Sequence, residues 1–232
     1  MSDGSGGAGG GGARTRGVLS NRVFRAMLTV QLVNAIAVWI HVVAVQWVLT
    51  ARGESAFVIS LAPAALAVPF IVLSMPVGVV AGFASRKRLM AGATTTSALA
   101  AGTACILSLT GADGALPMVA SVLLVGAALV VVGVSWQSLL PETVDRASIP
   151  TAAVMDGAAF NVARAVGPLI AGIGLGFAGS AWTFGLVCAL SAGSAIALTV
   201  SERRTPDRTA PRRAILPELA GALRFVAYSA WT

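Results

Sequence analysis

The stretch LPMVASVLLVGAALVVVGVSWQSL, from Leu116 to Leu139, carries no charged residue. At about 1.5 Å of rise per residue, a helix of this length crosses the roughly 30 Å of hydrocarbon in a bilayer. A strand reading fails twice, because the run is too long and does not alternate apolar with polar residues as barrel strands do. Working outward, five further runs have the same character: Ala26–Leu49, Phe57–Ala81, Leu89–Leu109, Val154–Phe177 and Ala181–Val200. The connections are short and polar: ARGES, ASRKR, GADGA, PETVDRAS and AGS.

Composition agrees. Of 232 residues, 56% are apolar and 11% charged, whereas a soluble domain carries about a quarter charged residues. A water-soluble globule is excluded, and so is disorder over most of the chain. The net charge of +7 sits in clusters between apolar runs, not along a soluble face, which argues against nucleic acid. The fold class is an all-α membrane protein with six transmembrane helices.

Orientation follows from the basic residues. Arg14, Arg16, Arg22 and Arg25 precede the first run. Arg86, Lys87 and Arg88 follow the second, Arg146 follows the fourth, and Arg203, Arg204, Arg208, Arg212 and Arg213 follow the sixth. The alternate loops hold only Arg52. Basic loops stay in the cytoplasm, which places both termini there.

Four regions emerge. Residues 1–25 form a Gly-rich tail of the flexible, disordered kind. Residues 26–200 form the six-helix bundle, and 201–217 an Arg/Pro-rich cytoplasmic linker. Residues 218–232 have the pattern of an amphipathic lead-in helix with no span behind it, so the chain reads as a fragment.

Several residues stand out inside the runs. Arg164 lies ten residues into the fifth run, near the bilayer midplane, where a cation needs a cavity or a partner. Asn161, Gly157 and Pro168 share its helix face. Arg164 is either a cavity cation for an anionic group or half of a structural ion pair. In the first run, Asn34 and His41 share a face and are candidates to line the cavity, with His41 a proton carrier or a core histidine bonded to its neighbour. Gly167, Pro168 and Gly172 combine a helix bend with small-residue packing. Asp156, two residues into the fifth run, is the deepest carboxylate, so no acid is expected far inside any span.

With one histidine there is no zinc site of the common ligand sets and no catalytic triad. Cys105 and Cys188 lie in separate apolar runs. Neither an enzyme nor a cofactor is indicated.

Together these features resemble the N-terminal half of a major facilitator superfamily transporter. In many such proteins the loop between helices 2 and 3 reads G-x-x-x-D-R-x-x-R-R/K-x. Here Gly78 and the triplet Arg86, Lys87, Arg88 match, while Gly82 and Phe83 stand at the acid and first arginine. The G-P-x-x-x-G pattern of superfamily antiporters is similar to Gly167-Pro168-Leu-Ile-Ala171-Gly172. Leu139-Leu140-Pro141-Glu142 and Trp182-Thr-Phe184-Gly185-Leu186 resemble the bacterial exporter branch that includes the enterobactin exporter.

The resemblance implies two three-helix repeats and a missing C-terminal half as partner. It also implies a plasma-membrane location in a bacterium and export of small amphipathic substrates, siderophore or drug-like, by alternating access. Gly78, Gly82 and Arg86–Arg88, with Gly167, Pro168 and Gly172, would then act in gating. The alternatives are a non-transporting six-span scaffold or regulatory module and a self-dimerising carrier.

Overall fold

The computed structural model describes residues 17–204. The expected tail up to residue 16, and the linker and lead-in helix from residue 205 onward, lie outside the described residues. Among the described residues there is no strand. Five helices are long and apolar enough to cross a membrane: α1 (Arg22–Ala51), α2 (Ala56–Ala81), α3 (Arg86–Thr110), α4 (Ala115–Thr143) and α5 (Ile149–Arg204).

The helices outrun the apolar stretches because their ends are capped by polar residues. Asn21 accepts hydrogen bonds from the backbone of Val23 and Phe24, so α1 starts four residues before Ala26. Ser55 and Ser85 cap α2 and α3 in the same way. Such oxygens satisfy backbone donors that the first turn leaves free. Gly111 ends α3 with φ 72°, a left-handed cap that glycine adopts without strain.

The fifth helix is not straight. At Gly179 the backbone takes φ 82° and ψ 178°, outside the helical region. Ala152 and Leu198 pack in one apolar cluster with Phe24, Met90 and Trp136. A straight helix would hold these two residues about 69 Å apart, so the chain folds back at Gly179. Two arms result, residues 149–178 and 180–204. They approach closely beyond the bend: a methyl group at Gly174 would stand 2.9 Å from Thr183 Oγ1.

Polar bonds define the two ends of the bundle. At one end Asn21 Nδ2 donates to the Thr143 carbonyl at 2.6 Å and Arg86 pairs with Glu142 at 2.6 Å. Glu202 there accepts from Ser85 Oγ at 2.8 Å and from Arg88 Nε at 3.1 Å. The starts of α1 and α3 therefore meet the ends of α4 and α5. At the other end Arg52 pairs with Asp113 at 2.6 Å, joining the α1–α2 and α3–α4 loops. Every other described basic residue except Arg164 lies near the first end.

α1 is the hub. It packs on both arms of α5 and on α4, and its buried residues run around the whole helix. α2 is peripheral: only Ala62, Ala65, Pro69 and Ala81 are buried. It leans on α4 where Gly126 permits backbone contact, since a methyl group there would stand 3.1 Å from Leu66 Cα.

Candidate transport site

The first arm of α5 has two unlike faces. Ala152, Ala163, Gly167, Ala171 and Leu175 are buried. Gly167 lies against α1, where an added methyl group would stand 2.5 Å from Trp39 Cβ and 3.3 Å from the Ile36 carbonyl. Beside this seam runs an exposed stripe of Gly157, Asn161 and Arg164, continued by half-buried Pro168 and exposed Gly172. These positions fall every three to four residues, one side of a helix.

The stripe is bonded along its length. Asn161 Nδ2 donates to the Gly157 carbonyl at 2.9 Å, which orients the amide so that its oxygen points to the next turn. Arg164 Nη2 donates to that Asn161 Oδ1 at 3.3 Å. Among the described residues no carboxylate pairs with Arg164. Among the described residues its other guanidinium donors have no partner. Arg164 is fifteen residues from both Ile149 and Gly179, about 22 Å from either end of the arm. Around the helix from it, Val162, Leu169 and Ile173 form a second exposed face that is wholly apolar.

Trp39 borders the site. Its ring meets Phe160 edge-on at 6.4 Å, and its buried Nε1 has no hydrogen-bond partner among the described residues.

The four residues expected to line one cavity divide in two. Asn161 and Arg164 stand on the open face, whereas Asn34 and His41 are fully buried. Ile36, Trp39 and Ile40 meet the first arm of α5, and helical spacing puts Asn34 and His41 on the far side of α1. His41 Nε2 lies 2.9 Å from Ser121 Oγ. Ser121 Oγ also lies 2.7 Å from the Met118 carbonyl; when its one hydroxyl proton goes there, it accepts from His41 Nε2–H. Among the described residues His41 Nδ1 and both polar atoms of the Asn34 amide have no partner. The His41 ring also packs on Phe184, 5.2 Å away.

The expected gating residues are likewise spread out. Gly78 and Gly82 are exposed, and Gly82 caps the end of α2. Arg86 and Arg88 are held by Glu142 and Glu202, and Lys87 is buried. Gly167 is packed, while Gly172 has open space beside it.

One polar contact escaped the sequence reading. Trp136 Nε1 donates to Asp156 Oδ1 at 2.7 Å. Asp156 lies two residues into its apolar run, but the helix starts at Ile149 and puts it seven residues into the helix. Pro150, in the first turn, was the available signal, since proline favours helix starts.

The first arm of α5 thus carries an open face with a bonded Asn–Arg pair midway along a membrane-length helix. A family model described as transmembrane secretion effector, of the major facilitator superfamily, matches residues 15–232. The chain belongs to this family. It is a multi-pass membrane protein of the major facilitator transporter type. No curated protein matches the chain.

Proposed function

We propose that the chain forms the N-terminal half of a secondary exporter in a bacterial plasma membrane. The two arms of α5 act as separate crossings, making six helices in two three-helix repeats. The basic end faces the cytoplasm, in line with the positive-inside rule. Substrate binds near the midplane, between the Asn161–Arg164 face and a second half, and the halves rock to expose it alternately. Small amphipathic molecules with an anionic group fit this face: the guanidinium takes the anion, and Trp39 and Phe160 offer apolar surface. Gly78, Gly82 and the Arg86–Arg88 triplet serve the cytoplasmic gate, with Gly167, Pro168 and Gly172 shaping the arm that moves.

The observation that carries this reading is Arg164. It is an exposed cation without a described carboxylate partner, midway along a membrane-length helix. An arginine facing lipid there costs about 2.5–3.5 kcal/mol on insertion scales, so its face is best explained by a polar pathway. The test is transport per molecule in vesicles containing the intact transporter. Arg164→Ala should abolish accumulation of an anionic substrate while membrane abundance holds. Normal transport by that variant would remove Arg164 from the pathway.

A further inference from the structure

Asp156 differs from every other described carboxylate. Glu54, Asp113 and Asp145 lie in connections, and Glu142 and Glu202 lie at helix ends. Asp156 is seven residues from Ile149, and its partner Trp136 is seven residues from Thr143. Each is about 10 Å in from the basic end of the bundle. Trp136 is fully buried, with its ring 6.0 Å from that of Phe24. An indole N–H can only donate, and a carboxylate can accept about four hydrogen bonds. Among the described residues Asp156 has one partner, this indole.

The surrounding charged groups do not neutralise it. Arg22 and Arg25 on α1 and Arg146 before α5 are exposed, and none is paired with Asp156. On α3, Arg86 and Arg88 are bound to Glu142 and Glu202, and Lys87 is engaged elsewhere. On α5 itself, Arg164 is eight residues along and bonded to Asn161. His41 lies in the other half of α1, on Ser121.

A half-buried carboxylate with a single neutral donor is costly to keep charged and is readily discharged by a proton. The same bond is a mechanical tie. The backbones of α4 and α5 approach at few positions, and among the described residues the Trp136–Asp156 hydrogen bond is their polar link. That link is charge-assisted while the acid is ionised and weaker once it is neutral.

We propose that Asp156 is a proton-binding site, held by Trp136, whose protonation loosens the first arm of α5 from α4 and so couples proton uptake to movement of the Asn161–Arg164 face. The step is proton transfer alone: the carboxylate takes one proton from water at one membrane face and returns it at the other. The coupling role rests on the transport function proposed above, whereas the proton site itself does not.

The test is pH-difference infrared spectroscopy on the intact protein in lipid vesicles, with no substrate added. Acidification should produce a protonated-carboxyl C=O band that vanishes in Asp156→Asn and persists in Asp156→Glu. In Trp136→Phe, which keeps an aromatic ring but no donor to the ionised carboxylate, the band should appear at higher pH. Circular dichroism establishes that each variant is folded, and Trp136→Phe alone tests the tie if Asp156→Asn is not. A spectrum with no band removed by Asp156→Asn, or a band that appears at the same pH in folded Trp136→Phe as in the unaltered protein, would overturn the proposal. Because the band needs no substrate, it can fail while Arg164→Ala still abolishes transport, and the reverse.

Discussion

Two polar pairs sit on neighbouring helices of this bundle, and they have opposite surroundings. Asn34 and His41 on α1 are fully buried, with His41 bonded to Ser121 across to α4. Asn161 and Arg164 on α5 are exposed, and among the described residues the arginine is bonded only to its neighbour. The difference follows from charge. A neutral amide or imidazole can be buried at a cost of a few kcal/mol, which the bond to Ser121 largely offsets for His41 and which Asn34 bears without a described partner. A guanidinium cannot be neutralised and must reach water or an anion. A polar residue inside a span therefore marks a pathway only when its face is open, and a permanent charge indicates which face that is.

The sharpest way to break the comparison is to fill each face of the first arm in turn. Gly167→Leu drives a side chain into Trp39, whose Cβ would be 2.5 Å from the first added carbon. Overpacking of this kind costs about 1–3 kcal/mol and often more. Folded yield and thermal stability by size-exclusion chromatography should fall steeply. Gly172→Leu points into open space and should leave both near normal. Equal damage from the two would mean that the open face is packed.

Next in size is Arg164. Loss of a hydrogen bond to a charged group is worth about 1.5–3 kcal/mol, so Arg164→Ala should cut transport per molecule by at least about tenfold. Arg164→Lys should recover part of it, since the charge remains without the planar fork. The readout is initial rate in vesicles, normalised to protein.

The buried pair should respond the other way. His41→Phe removes one hydrogen bond, of about 1 kcal/mol, and keeps a ring against Phe184. Stability should fall by about that amount, and transport per molecule should stay within about twofold. A variant with normal stability and no transport would make His41 part of the pathway after all.

The two ends of the bundle give the smallest effects. Arg52→Ala breaks a partly exposed pair with Asp113 that is worth about 1 kcal/mol or less. It should change melting temperature only slightly, and less so at high salt.

Much of the architecture is legible in the chain, because a bilayer demands long apolar runs and every run Ala26–Leu49 to Ala181–Val200 falls within a helix. The helix ends were less legible: Asn21, Ser55 and Ser85 are polar and lie outside any hydropathy window, yet they start helices. Asp156 lies deeper in its helix than in its apolar run for the same reason. Burial was not legible at all. α1 and α2 are both apolar around their circumference, so no periodicity tells the hub from the peripheral helix, and only packing decides it. Hence Asn34 and Arg164 could each be picked out as polar residues in spans, but not assigned to different sides of α1. The partners of Arg86 and Arg88 were hidden too, since Glu142 and Glu202 are distant in sequence.

The central claim is that the Asn161–Arg164 side of the first arm opens onto a water-filled pathway while its neighbouring side meets lipid. Cysteine accessibility tests this directly, in the intact transporter with Cys105 and Cys188 replaced. A membrane-impermeant, charged thiol reagent should label Gly157→Cys and Asn161→Cys, and should leave Leu169→Cys and Ile173→Cys untouched. Equal labelling of the two sides, or none at Gly157→Cys and Asn161→Cys from either face of the membrane, would contradict the account.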